Sequence, residues 1–188
     1  SVVDYRKHRK NFILQHESEH LLLNFVSSHD ENAWEGTVDE LYGEAAHAIM
    51  ALNYISPGLP FLYSGVEYDL NKRLLFFEKD SFPKVKGETY NLLKKLGELK
   101  NTRPALHSGR EAGKYTSIKT SLLDKVLAFE RSKEGDTIVF IGNMSGEHIG
   151  FRSPYNSKFK RYEDDKLKIL SSSYEYRMKP WEFWILKN

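Results

Sequence analysis

Two hydrophobic regimes follow one another along this chain. Up to about residue 105, apolar residues come in short unbroken runs or at three-to-four spacing; beyond about residue 109, strand-like runs take over. Asp4 to about Glu19 reads as a helix with Tyr5, Phe12 and Ile13 among many charges. Leu21 to Val26 is a continuous apolar run, expected as a short strand buried on both faces. It breaks into Ser27-Ser28-His29-Asp30 and a polar loop with Trp34 and Gly36. Val38 to Tyr54 predicts a helix, with Leu41, Ala45, Ala48, Ile49 and Leu52 on one face and Asp39 and Glu40 in its first turn. Pro57 and Gly58 stop it, and Leu59 to Tyr63 predicts a second short strand. Strand, helix and strand with short links form a βαβ unit, which implies parallel pairing. Asn71 to Pro83 reads as a long loop with an apolar centre, Leu74 to Phe77, and Val85 to Leu99 as a further amphipathic helix ended by Asn101 and Pro104.

In the second regime, Val126 to Arg131 and Thr137 to Asn143 read as strands joined by a glycine-containing hairpin, Ser132 to Asp136. Leu167 to Leu170 and Trp181 to Leu186 read as further strands, the last alternating through Trp181, Phe183 and Ile185. The fold class is therefore α/β plus all-β, with one domain over residues 1–108 and a small antiparallel β domain over 109–188. Two strands and three helices cannot close a barrel or cover both faces of a parallel sheet. The first part is thus expected to belong to a larger domain.

Composition narrows the classes. At 40% hydrophobic and 29% charged residues, the chain has the make-up of an ordinary globular protein. A net charge of +2 is too small to drive nucleic-acid binding, so no nucleic-acid partner is expected. Arg6-Lys7-His8-Arg9-Lys10 reads as a solvated helix face, because no aromatic or glycine pattern accompanies it. No apolar run approaches the ~20 residues that span a bilayer, and the charged start does not read as a secretory signal. Cysteine is absent, which removes disulfide and thiol chemistry without deciding between cytoplasm and export.

Two stretches carry candidate chemistry. A strand that delivers His29 and Asp30 at its C-terminal end places an imidazole and a carboxylate where β/α folds build sites, although Ser, Asp and Asn also suit a plain turn. Trp34, close behind, is a candidate to stack on a sugar face, with packing against the next helix as the alternative. His16-Glu17-Ser18-Glu19-His20 matches the H-E-x-x-H pattern of zinc peptidases. That chemistry needs both histidines on one helix face, whereas here the second abuts the apolar run at Leu21. A polar helix-to-strand connection is the preferred reading, and no metal ligand is assigned.

Three segments taken together resemble the alpha-amylase superfamily of glycoside hydrolases. Phe25-Val26-Ser27-Ser28-His29-Asp30 resembles the family's fourth conserved region, an aromatic-led strand ending in His-Asp. Gly58 to Glu67 (GLPFLYSGVE) is similar to its Gly-x-Pro-x-x-Tyr-x-Gly-x-Glu segment, and Asn101 to Leu106 (NTRPAL) to its Arg-x-Pro-Ala-Leu. The order and spacing agree over most of the chain. The resemblance implies the C-terminal portion of a (β/α)8 TIM barrel, with strands seven and eight, followed by a small antiparallel β-sandwich.

It also implies retaining chemistry at α-glucosidic bonds, with an α-glucan or maltooligosaccharide as partner. Asp30 matches the third catalytic carboxylate, which stabilises the transition state, and His29 the neighbouring hydroxyl-binding histidine. The segments that carry the family's nucleophile and acid/base, and the one that helps hold calcium in many members, have no counterpart in this sequence. No cofactor is therefore expected in this piece, calcium being possible in the complete enzyme, and the piece alone is expected to be inactive. The alternative is a non-catalytic carbohydrate-binding or structural module derived from the same barrel. Exposed barrel edges would also favour self-association.

Overall fold

Residues 1–15, 21–153, 157–162, 166–171 and 173–188 are described by the structure, a computed structural model. The His16 to His20 stretch lies outside them. By internal contacts the chain divides into two units, residues 22–102 and residues 1–21 together with 103–188. This differs from the 1–108 and 109–188 division in one respect: the first helix, α1 (Val2–Gln15), groups with the β-rich part.

The reason lies in the basic stretch of α1. Arg6 donates through Nη1 to the Leu123 carbonyl at 2.6 Å and through Nη2 to the Val126 carbonyl at 3.1 Å. Arg9 lies over the Tyr115 ring, 4.3 Å from its centroid. The expected solvated face is therefore only partly solvated: Lys7, His8 and Lys10 are exposed, while the two arginines bind the β-rich unit through planar, multi-donor heads.

In the 22–102 unit, β1 (Leu23–Asn24) and β2 (Leu59–Pro60) pair in parallel, Leu23 against Leu59 and Asn24 against Pro60. Leu59 N–H donates to the Leu22 carbonyl and Phe61 N–H to the Asn24 carbonyl, both at 2.7 Å. Gly58, at φ 116°, permits this approach, since a Cβ there would stand 2.5 Å from the Leu22 carbonyl oxygen. The Asn24 side chain donates to the Asn53 and Pro57 carbonyls and ties the strand to the end of the crossover.

That crossover is not the single expected helix. It comprises α2 (Val38–Tyr42), a 3₁₀ turn over Gly43–Ala45, and α3 (Ala46–Ile55). The break falls at Gly43, at φ 47° and ψ −127°, outside the helical basin and accessible to glycine. Beyond it the buried side is set by Ala48, Met50, Ala51, Leu52 and Ile55, whereas Leu41 before the break is exposed. Thr37 caps α2 in a capping box with Glu40.

The last helix of the unit, α4 (Glu88–Thr102), starts later than expected. Val85 lies outside it and is exposed, while Leu93, Leu96 and Leu99 bury one stripe and α4 packs against α3. The expected burial of the first strand on both faces is not met. Leu21, Leu23, Phe25, Leu59, Phe61 and Leu62 are all exposed, because two strands supply one covered face and no described element covers the other.

The β-rich unit holds β3 (Lys114–Ser117), β4 (Val126–Lys133), β5 (Asp136–Asn143), β6 (Ile149–Arg152), β7 (Ser157–Arg161), β8 (Leu167–Leu170), β9 (Glu175–Met178) and β10 (Phe183–Lys187). Six of these form an antiparallel sheet in the order β3-β4-β5-β10-β7-β8, and β6 pairs with β9. The two sheets share one core: Val139, Ile141, Trp184 and Leu186 from the larger meet Phe151 and Met178 from the smaller. The β4–β5 turn is a two-residue one, with Glu134 at φ 52° and Gly135 at φ 84°, as a right-twisted hairpin favours. Trp181 does not begin the last strand; it sits in the preceding turn at φ 55°.

Arg103 to Leu106 is the hinge of this unit's packing. Arg103 forms an ion pair with Asp136, whose other oxygen accepts the Ala105 N–H at 2.8 Å. Ala105 and Leu106 are fully buried, and the Gly113 backbone lies so close to Ala105 that a Cβ would collide with its carbonyl. The motif thus has a structural task here. Among the described residues, no helix is long and apolar enough to cross a membrane.

Candidate active site

The site begins where β1 ends. Val26 and Ser27 are buried, and the chain then surfaces at His29 and Asp30. Ser28 organises the exit: its Oγ accepts the backbone N–H of Asp30 at 3.2 Å and of Glu31 at 3.4 Å, and donates to the Glu31 carboxylate. Glu31–Glu35 then forms a single π-helical turn, closed by the Gly36 N–H donating to the Glu31 carbonyl at 2.8 Å. Wide turns of this kind occur frequently at functional sites.

His29 and Asp30 lie side by side, with Nε2 3.6 Å from Oδ2 and side chains 65% and 63% exposed. A carboxylate so placed keeps its lone pairs open to hydroxyl donors, and the adjacent imidazole adds a donor or acceptor. Trp34 is also exposed, at 61%. Its ring lies 5.4 Å from that of Phe76, centroid to centroid. Phe76 also contacts His29 at 5.5 Å and Phe77 at 4.7 Å. Two of the three predicted site residues, His29 and Trp34, therefore adjoin Phe76, and Asp30 lies beside His29.

The loop that brings Phe76 there is firmly held. Asn32, 3% exposed, accepts the Leu74 N–H at 2.8 Å and donates to the Lys72 carbonyl at 3.2 Å. Arg73 meets the Glu40 carboxylate at 3.0 Å and the Glu35 carbonyl at 3.2 Å. The backbone N–H of Thr37, first, and then Arg73 hold the Glu40 carboxyl below its ordinary range. Asp80 closes the loop on itself. It is paired with Lys72 and accepts the N–H groups of Leu75 and Ser81, which together lower its pKa to about 2. Glu67 accepts the Gly65 N–H at 2.8 Å and so holds its own turn.

Asn32 and Phe76 escaped the sequence reading. The apolar run Leu74 to Phe77 inside a polar loop was the available signal for the second. Nothing local marks Asn32, whose partners are some forty residues away. Among the described residues, no group of three His, Asp or Glu side chains is placed to hold a metal ion.

Comparison with known proteins bears on the fold. No protein-family model and no curated sequence matches the chain. Solved structures do. A maltogenic alpha-amylase from Thermotoga neapolitana superposes with a TM-score of 0.83 at 17% identity, covering 100% of this chain and 46% of that one. An alpha-amylase from Lactobacillus plantarum gives 0.76 at 14% identity, covering 100% and 43%. A debranching enzyme from Nostoc punctiforme gives 0.71 at 16% identity, covering 100% and 38%. By fold, the chain resembles part of an alpha-amylase-type glycoside hydrolase. It spans less than half the length of these enzymes.

Proposed function

We propose that this chain is the C-terminal part of an alpha-amylase-like retaining glycoside hydrolase acting on α-glucosidic bonds in starch or maltooligosaccharide-type glucans. The observation that carries the proposal is the exposed His29–Asp30 pair at the end of a parallel strand, in a fold matched along its whole length by such enzymes. In this reading β1 and β2 are the last two strands of a (β/α)8 barrel. Their exposed apolar residues then meet the rest of that barrel.

Retaining hydrolysis uses a nucleophile and an acid/base that flank the bond and passes through an oxocarbenium-like transition state. Both groups are assigned to the remainder of the enzyme. Asp30 accepts hydrogen bonds from sugar hydroxyls, and His29 binds beside it. Charge-assisted bonds to a carboxylate are among the stronger ones, and those that tighten as the ring flattens stabilise the transition state selectively. Calcium, where the complete enzyme holds it, is assigned to no residue of this chain.

The test is Asp30→Asn in the full-length polypeptide, assayed on maltohexaose. A hydrogen bond made chiefly in the transition state predicts a loss of roughly 10²–10³ in kcat, with melting temperature unchanged, since Asp30 is exposed. Unaltered turnover would remove Asp30 from the mechanism. Glucan binding without turnover by the unmodified protein would instead favour the non-catalytic binding module.

A further inference from the structure

The β6–β9 pair carries a hollow that the catalytic reading does not use. Its volume is about 590 Å³, that of a small-molecule site, and all of it lies in the β-rich unit. Strand alternation explains its shape. Ile149, Phe151 and Met178 turn into the core, so Gly150, Arg152, Glu175 and Arg177 face outward. In register, Gly150 stands opposite Arg177, which leaves the place facing the guanidinium without a side chain. His148 and Lys179, just beyond the strands, also line the hollow, as do Glu175 and Glu182.

The backbone that carries these groups is held from within. Asn143, fully buried, donates through Nδ2 to the Glu147 carbonyl at 2.7 Å and to the Lys179 carbonyl at 2.8 Å. The Glu182 carboxylate is engaged in the fold, accepting the Lys179 N–H and the Trp184 Nε1–H, each at 2.8 Å. The cationic side chains are not so engaged. His148, Arg177 and Lys179 are exposed and enter no ion pair among the described residues. Two cations and an imidazole thus face one hollow with their donors open.

We propose that this hollow binds the phosphate ester of a sugar unit, as carried by a phosphorylated α-glucan. The proposal rests on the glucan-acting reading and extends it to the class of glucan retained. Arg177 presents a planar fork of N–H donors that matches phosphate oxygens, Lys179 adds a compact charge and His148 a ring donor. Glu175 points to an ester of a sugar rather than a bare anion. Its side chain leans across Gly150, where a Cβ would collide with the carboxylate. An ionised carboxylate only accepts hydrogen bonds, so it repels free phosphate but takes sugar hydroxyls. A sugar phosphate carries both groups on one molecule. Two cations beside two carboxylates, in a chain of net charge +2, form no basic stripe of the kind that tracks a nucleic-acid backbone. His29 and Asp30 belong to the other unit, so Arg177 can be changed without altering the groups assigned to catalysis.

The experiment measures retention of the full-length protein in gels containing phosphorylated amylopectin or the same polymer after phosphatase treatment, at one ionic strength. The unaltered protein is expected to bind the phosphorylated polymer roughly tenfold more tightly, as a forked guanidinium–phosphate contact supplies. Arg177→Gln removes that difference and Arg177→Lys keeps part of it. Lys114→Gln, which deletes an exposed charge on β3, keeps all of it. Glucose 6-phosphate competes better than glucose or inorganic phosphate at equal concentration, and kcat on maltohexaose is the same in all three variants. Equal binding of the two polymers by the unaltered protein, or a loss in Arg177→Gln that is the same on both, would overturn the site. Competition by single-stranded DNA as strong as by glucose 6-phosphate, at equal phosphate concentration, would overturn it in favour of a general polyanion surface. Absence of maltohexaose cleavage, with phosphate-dependent retention intact, would overturn the enzyme reading and uphold the site.

Discussion

Replacing Asn32 with alanine should unfasten the aromatic loop without unfolding the unit that carries it. The side chain makes two hydrogen bonds to backbone groups across the site, from the Leu74 N–H at 2.8 Å and to the Lys72 carbonyl at 3.2 Å. Each such bond contributes about 0.5–1.5 kcal/mol net, so the pair contributes on the order of 1–3 kcal/mol. Leu74 is half-buried and Lys72 exposed, so water can reach the groups left behind. That excludes the larger penalty of an orphaned buried donor and places the loss near the middle, at about 2 kcal/mol. A local opening equilibrium changed by that amount shifts roughly thirtyfold.

Native-state hydrogen exchange of the Leu74 amide reads this directly, because loops open well below the global unfolding free energy. Leu99, buried in α4, provides an amide that should exchange at its original rate. Asn32→Asp sharpens the test. It keeps an acceptor for the Leu74 N–H, strengthened by charge, but sets a carboxylate oxygen against the Lys72 carbonyl. Leu74 should stay better protected in that variant than in Asn32→Ala. The reasoning is refuted if Leu74 exchange in Asn32→Ala stays within about threefold of wild type, or if Leu99 accelerates equally.

The Asp80 latch carries a pH dependence of definite sign. Its carboxyl is lowered from 3.8 to about 2, so its stabilisation is complete above 3.8 and is lost as pH falls through 2. Protection of the Leu75 and Ser81 amides should therefore persist from pH 6 to about pH 4 and fade towards pH 2; fading already at pH 5 would contradict the latch. Gly58→Ala forces a Cβ into a left-handed position 2.5 Å from the Leu22 carbonyl oxygen. It should lower the stability of the parallel pair by at least about 2 kcal/mol, seen as a lower melting temperature, and an unchanged melt would show that the strands part there at little cost.

Features governed by near neighbours could be read from residue order. The βαβ arrangement followed from apolar runs separated by a helical pattern, and β1 and β2 pair in parallel as that pattern requires. His29 and Asp30 could be singled out because a strand run ends abruptly beside them, and both surface there. The hairpin after β4 was located by Gly135, since few other residues accept its turn geometry. What misled the reading was also local. The three-to-four spacing from Val38 to Tyr54 runs unbroken through Gly43, while the backbone leaves the helix there.

Only the tertiary structure could decide features that depend on partners distant in sequence. Arg6 and Arg9 look like solvent-facing charges until Leu123, Val126 and Tyr115 are brought against them. Phe76 looks like the middle of a loop until Asn32 clamps that loop beside Trp34 and His29. The apolar run at Leu21 to Val26 suggests burial on both faces, but burial depends on what stands opposite. Leu23 and Phe25 remain exposed because hydrophobicity states that a residue favours cover, while only the assembled neighbours supply it.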